Sequence, residues 1–346
     1  MPDRRRWLLA GLLAMLAAPG AAPSAAADAA LIAAAQREGA VTWYSGLIVN
    51  QVVRPLVAGF EAKYPGIKVQ AGRVPSGEAA LKIINEARAG RPVADMFDGT
   101  AVTHRLAAAG VIERYKPEAA QGFPDRSRDP NGDWTALNTY IMTPAINTEM
   151  VGAAEAPKTL QDLLDPKWRG RIAWTNDPTT TGAPGFIGNV LTSMGQPAGM
   201  AYLKQLAQQR IVNVPGSQRV VLDQVIGGQY ALALMTFNYH SVISASDGAP
   251  VRWLPIEPAV EVPNPVGLIR NAPHPNAAKL LIEYVLSEEG QRVLREANYL
   301  PANPAVPPRD PGLTPIGGQF AATLFTPETT AAKLDEWTAI YNELFK

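Results

Sequence analysis

Between residues 31 and 110, short strand-like runs alternate with helix-periodic segments, and that alternation restricts the chain to a parallel α/β build. Residues 31–38 read as a short helix stopped by Gly39. The β-branched and aromatic run Val41, Thr42, Trp43, Tyr44 reads as a strand ending at Ser45-Gly46. Val53, Leu56, Val57, Phe60 and Tyr64 recur at helical spacing, with Pro55 early enough to delay the first turn and Pro65-Gly66 as the stop. A strand at 67–69, a helix from Ser76 or Gly77 to Gly90, a strand at 93–97 and a helix at 101–109 complete the series. Helices of this length between strands imply right-handed βαβ units.

Residues 134–147 break the pattern. They are long, extended and apolar, with Pro144 inside, and suit a strand that leaves one lobe and enters another. The acidic loop before them, Asp129 to Asp133, has calcium-loop composition but places Gly132 too early for an EF-hand, so it reads as a surface turn. The alternation then resumes: strand 171–175, helices 185–194, 197–209 and 217–226, strand 230–235. Residues 251–269 are extended and proline-interrupted, as a return crossing would be. Helices follow at 276–286, 288–296 and 331–345. The expectation is a two-lobed α/β clamshell, each lobe a mixed sheet flanked by helices and hinged by extended crossings. Lobe 1 is expected from 28–138 plus 241–300, and lobe 2 from 139–240 plus 301–346, with ligand in the cleft.

The first residues point to export. Arg4, Arg5 and Arg6 precede an apolar run at 7–18, which is short of the roughly 20 residues a bilayer span needs. A small-residue stretch ends at Ala27, so residues 1–27 have the layout of a signal peptide, by the Sec or twin-arginine route, to the periplasm. The 31 basic and 31 acidic residues balance, and losing the leader leaves two charges on the acidic side. That gives no footprint for nucleic acid or an anionic membrane. With 0 cysteines there is no acylation site, disulfide, thiolate metal site or cysteine nucleophile.

Several segments together carry a family resemblance: GAVTWYS (39–45), FEAKYPGIKV (60–69), GRPVAD (90–95), Ala156-Pro157 with DLLDPKWRG (162–170), the stretch 178–182, and LSEEGQ (286–291). The chain resembles the family-1 extracellular solute-binding proteins of ferric-iron-type ABC importers, within the type II periplasmic-binding fold. The resemblance implies capture of a small molecule between the lobes and delivery to a membrane permease, without catalysis or cofactor, by a monomer that does not insert in the membrane.

Physics and resemblance both put the site at loops following strands, near helix N-termini. Thr179, Thr180, Thr181, Gly182 and Ala183 precede a helix, where free amides and the helix dipole favour an anion; a plain N-cap is the competing reading. Gln218 and Arg219 open another helix, and Arg219 reads either as a two-pronged clamp on a carboxylate or phosphate or as a surface ion pair. Ser45, Gly46, Asp98 and Thr100 end strands on the opposite wall. Arg73, after the second strand, is a further residue for that wall. Asn238, Tyr239 and His240 end a strand at the lobe crossing. The resemblance implies two adjacent tyrosines there in iron-binding members; this chain keeps Tyr239, with Asn238 in place of the other. The family's histidine and glutamate fall near Ile48 and Thr100. A ferric site would be left with Tyr239, Asp98 and His240, a thin set for a hard cation. His104 reads as a helix surface residue and His274 as a loop residue. The expected ligand is an anionic organic solute (phosphate ester, phosphonate or carboxylate), with ferric iron as the alternative. An exported enzyme is the third reading, but no nucleophile elbow, phosphate-binding glycine loop or zinc motif supports it.

Overall fold

The computed structural model describes residues 24–74 and 76–346. The expected leader therefore lies outside the described residues up to position 23, and residues 24–27 begin the first helix. In chain order, α1 (Ser24–Glu38) leads into β1 (Ala40–Ser45), and a π-helical turn, Val49–Val53, runs straight into α2 (Arg54–Lys63). Then come β2 (Lys68–Arg73), α3 (Ser76–Arg88), β3 (Met96–Asp98), α4 (Thr100–Ala108) and β4 (Ile112–Glu113). The long β5 (Thr135–Asn147) is followed by β6 (Ile172–Thr175), α5 (Ala183–Met194), α6 (Gln196–Ala207), β7 (Val212–Val214), α7 (Gln218–Ile226), β8 (Leu232–Phe237) and α8 (Asn238–Ser246). The chain returns through β9 (Val251–Trp253) and β10 (Ala259–Ile269) to α9 (Pro275–Leu286) and α10 (Glu288–Glu296). It ends with β11 (Leu300–Pro301), α11 (Pro315–Gly318), β12 (Ala322–Leu324) and α12 (Pro327–Phe345).

The main strands lie in the order β2-β1-β3-β10-β5-β8-β6-β7. At one end β1 runs parallel to β2 and β3; at the other β6 runs parallel to β7 and β8. The antiparallel pair β10 and β5 joins them. Each of these two long strands feeds both lobes. Ala136, Leu137 and Ile141 of β5, with Val266 and Leu268 of β10, pack in a core around Trp43 and Phe60. Met142 and Ile146 of β5, with Val260 and Val262 of β10, pack in a second core around Trp168 and Trp174. The fold is the expected two-lobed α/β arrangement with extended crossings. The prolines mark where the crossings bend. The β5–β8 register shifts between Thr143 and Ala145, at Pro144, and the β10–β5 register shifts at Asn264 and Pro265. A proline has no amide to give the ladder, so it sits where the ladder breaks.

Four local details differ from the sequence reading. The strand expected at 93–97 begins only at Met96, because the Glu86 carboxylate takes the Val93 and Ala94 amides at 3.0 and 3.2 Å. Pro55 does not delay the first turn; it sits within the first turn of α2, where a missing amide costs nothing. Asn238, Tyr239 and His240 do not end a strand. They form the first turn of α8, whose start has no capping side chain and is held instead by Asn238 Nδ2 donating to the Leu313 carbonyl at 2.7 Å. His104 is not a fully exposed surface residue: it is half-buried on α4, and burial lowers its pKa.

The acidic loop is an Asx turn, with Asp129 Oδ2 accepting the Asn131 and Asp133 amides at 2.8 and 3.0 Å. In the second lobe α12 is locked down by one side chain. Asn213 Oδ1 accepts from the Trp174 indole and the Tyr341 hydroxyl, both at 2.7 Å, while its Nδ2 donates to the Phe345 carbonyl at 2.7 Å.

Candidate ligand-binding cleft

The first wall is built from the ends of β1 and β3. Asp98 is buried at 2 % exposure. Its Oδ2 accepts from the Trp43 indole at 2.9 Å and its Oδ1 from the Gly46 amide at 3.1 Å. Ser45 Oγ accepts the Leu47 amide at 3.1 Å. The carboxylate therefore ties two strand ends together and turns inward. Burial lifts its pKa to about 6, and the polar hydrogens of Ser45, Gly46, Trp43 and Asn264 pull it back only in part. Thr100 also points inward, its hydroxyl donating to the Pro263 carbonyl at 2.9 Å.

A titration follows from that pKa. Unfolded Asp98 releases its proton near 3.8, whereas folded Asp98 keeps it to about 6. The folded form thus binds more protons in this window, and Asp98's stabilising share is full below pH 4 and falls as pH rises through 6. The loss amounts to about 3 kcal/mol at one pK unit per 1.36 kcal/mol. Urea unfolding of wild type and Asp98→Ala at pH 4.5 and 7 checks it. The deficit of the variant should be larger at pH 4.5, and equal deficits would refute the assignment.

The second wall joins two loops of the other lobe. The Gln218 Nε2 donates to the Thr181 hydroxyl at 2.9 Å and to its carbonyl at 3.1 Å. The Thr179 and Thr181 hydroxyls lie 3.1 Å apart, and Thr175 Oγ1 donates to the Gly216 carbonyl. Gly182 is the N-cap of α5 and provides no side-chain cap. Its amide bonds the Thr179 carbonyl, and the Gly185 amide bonds the Gly182 carbonyl, both at 3.0 Å. Among the described residues, no acceptor engages the Thr180, Thr181 or Ala183 amides. Three amides are thus left unpaired at the positive end of a 12-residue helix.

Arg219 is engaged by two side chains. Nη2 meets Asp223 at 2.8 Å, one helical turn away, and Nη1 donates to Ser244 at 3.1 Å.

The floor is aromatic. Tyr239 is 2 % exposed. Its ring stacks at 6.4 Å on Tyr140 and lies 4.8 Å from Tyr299, 4.5 Å from His240 and 5.7 Å from Phe237. Burial pushes the phenols of Tyr140 and Tyr239 well above their ordinary value, and Tyr299 upward. His240 is buried with neither ring nitrogen partnered; burial first, then Arg219, depresses it to about 3. Asn238 Oδ1 and Ser241 Oγ are also buried without partners.

The expected residues thus fall into three groups: Ser45, Gly46, Asp98 and Thr100 at the ends of β1 and β3; Thr180, Thr181, Gly182, Ala183 and Gln218 at the starts of α5 and α7; Asn238, Tyr239 and His240 at the start of α8. Arg219 joins neither wall's hydrogen-bond network. Tyr140, Tyr299, Asn138 and Asn264 were missed in the sequence. The two tyrosines carry no local signal, one lying mid-strand and the other after α10. Asn264 Nδ2 donates to Asn138 Oδ1 at 2.9 Å across β10 and β5, and a lone asparagine in each strand does not announce that pairing. Among the described residues, no three His, Asp or Glu side chains converge to hold a metal ion. Nor is any described helix long and apolar enough to cross a membrane.

Two parallel-stranded lobes sharing an antiparallel pair are the build of the two-lobed periplasmic binding-protein class. Residues 91–316 match the family of bacterial extracellular solute-binding proteins, and the chain belongs to that family. Proteins of this kind bind a small molecule and work with an ABC permease. The Fe(3+)-binding periplasmic protein of Serratia marcescens is 24 % identical over 279 residues, 77 % of this chain and 79 % of that protein. A putative 2-aminoethylphosphonate-binding periplasmic protein of Salmonella paratyphi A is 24 % identical over 213 residues, 60 % of this chain and 61 % of that protein. Among solved structures, the periplasmic binding protein AfuA of Actinobacillus pleuropneumoniae, with exogenous fructose-6-phosphate bound, superposes with a TM-score of 0.69 at 22 % identity, covering 88 % of this chain and 97 % of that one.

Proposed function

We propose that this protein captures a small anionic organic solute, a phosphate ester, phosphonate or carboxylate, between its lobes and hands it to an ABC permease as a periplasmic monomer. The observation that carries this reading is the trio of unpaired amides of Thr180, Thr181 and Ala183 at the uncapped start of α5. Such a terminus binds an anion through backbone donors and the helix dipole together. Gln218 holds the threonine loop in place and so presets the donors. We place the lobe boundaries within β5 and β10. Leu254 and Ile256 pack in the second core and Leu313 and Phe320 in the first, so the C-terminal third serves both lobes.

A second reading, ferric iron as cargo, is favoured by the cluster of Tyr140, Tyr239 and Tyr299. It is disfavoured by Asp98, whose oxygens already serve Trp43 and Gly46.

A thermal-shift screen of refolded, ligand-free protein tests both. A solute at a hundred times its dissociation constant adds about 2.7 kcal/mol. Sugar phosphates, 2-aminoethylphosphonate or dicarboxylates should raise the midpoint. A shift with ferric citrate alone, abolished in Tyr239→Phe, would reverse the order of the two readings.

A further inference from the structure

Arg73 closes β2, directly beside Ser45 in the parallel ladder, and the Val74 amide pins that corner by donating to the Ser45 carbonyl at 3.1 Å. This puts the arginine at the mouth of the first wall. Among the described residues its guanidinium has no ion-pair or hydrogen-bond partner. Two other arginines at the cleft are committed: Arg219 to Asp223 and Ser244, and Arg105 on α4 lies in the field of Asp177 from the opposite lobe. The phenols of Tyr140 and Tyr299 lie in the combined field of Asp98 and, more weakly, Arg73. Asn138 is fully buried beside Tyr140; its Oδ1 is taken by Asn264, and its Nδ2 turns toward the Tyr140 phenol without a well-formed bond. A bound acceptor would complete this half-satisfied pair. Asp98 at the end of β3 already accepts from Trp43 and Gly46.

We propose that Arg73 is the specificity-determining cation of the cleft, and that it receives a negatively charged group of the solute in a recess completed by Tyr140, Tyr299 and Asn138. The assignment rests on the anionic-solute reading and adds a second contact point to it. The α5 terminus holds acceptor oxygens from one lobe while Arg73 and the phenols hold them from the other. A solute that touches both lobes stabilises the closed form over the open one. A guanidinium forks onto two oxygens, so phosphates, phosphonates and carboxylates fit, whereas a neutral sugar or a bare cation gains nothing from it.

Isothermal titration of inorganic phosphate, 2-aminoethylphosphonate, fructose-6-phosphate and citrate into wild type, Arg73→Gln, Arg73→Lys and Arg219→Gln tests this. Arg73→Gln should weaken the best of these probes about tenfold to a hundredfold, the scale of a lost charge-assisted bond. Arg73→Lys should recover part of the loss. Arg219→Gln, whose guanidinium is already held by Asp223 and Ser244, should lose less than Arg73→Gln. Arg73 is exposed, so unchanged circular dichroism and melting midpoint in Arg73→Gln separate binding from folding. Equal affinity of Arg73→Gln and wild type, or a larger loss at Arg219→Gln, overturns the assignment and leaves the anionic reading standing. Wild type that binds none of the four anions defeats the anionic reading, and the assignment with it.

Discussion

Replacing Trp43 by alanine should lower the unfolding free energy by about 4 kcal/mol or more. Trp43 is fully buried in the first core, and a tryptophan truncated there costs roughly 3–5 kcal/mol in lost burial and cavity. The indole also provides one of the donors that make the buried Asp98 carboxyl tolerable. Losing it strands an acceptor oxygen, at about 1–3 kcal/mol more. Trp43→Phe separates the two effects, because it keeps most of the packing and removes only the donor. It should cost about 1–3 kcal/mol. It should also push the Asp98 pKa further up, since the ionised form loses a stabilising partner. Chemical denaturation followed by far-ultraviolet circular dichroism measures both. A Trp43→Phe variant within 0.5 kcal/mol of wild type, a margin of roughly the usual surface-substitution size, would show that the indole bond contributes nothing.

The second large effect concerns a glycine that looks replaceable. Gly185 lies in the first turn of α5, where helix propensity alone would make alanine better by up to about 1 kcal/mol. A Cβ at this position would stand 1.8 Å from the Thr180 carbonyl oxygen and 2.6 Å from its carbon. Backbone atoms cannot rotate aside, so the loop carrying the Thr180 and Thr181 amides must move. Gly185→Ala should destabilise by about 3 kcal/mol, at the upper end of overpacking costs. It should also weaken anion binding at least tenfold, because the loop that carries these amides is displaced. Gly122→Ala is the control, since a Cβ there meets nothing within 4 Å. Stabilisation of Gly185→Ala, as propensity alone demands, would show that the threonine loop is soft enough to yield and is not preset.

These two positions illustrate how far a linear reading reaches. Trp43 was legible as part of a strand and Asp98 as a strand-end residue, yet their bond joins residues 55 apart in sequence. Gly185 was legible only as the opening of a helix, and the reason alanine is excluded is a carbonyl five residues earlier that folds back over it. Arg219 shows the converse. Its position at the start of α7 suited an anion clamp or an ion pair equally. Asp223, one turn on, and Ser244, 25 residues on, now occupy its guanidinium. Arg73 had no local signal beyond its place after a strand, and only the neighbouring phenols and the absence of a partner among the described residues raise it above its neighbours.

What the sequence by itself determined was the kind of chain this is. Strand and helix segments, their alternation, the two extended crossings and the prolines that punctuate them follow from contacts within a few residues and from backbone chemistry, which a linear pattern encodes directly. The two-lobed α/β architecture followed from that much. Only the tertiary structure decided which side chains turn into the cleft and which are consumed in building it. The cleft is assembled from the ends of strands that neighbour one another across the sheet but not along the chain. Asp98 and Thr100, both read as wall residues, spend their polar atoms on Trp43, Gly46 and Pro263. The phenols of Tyr140, Tyr239 and Tyr299 come together from β5, α8 and the turn after α10. Whether a polar atom is satisfied depends on partners tens of residues away, and hydrogen-bond satisfaction separates a structural side chain from one left for a ligand.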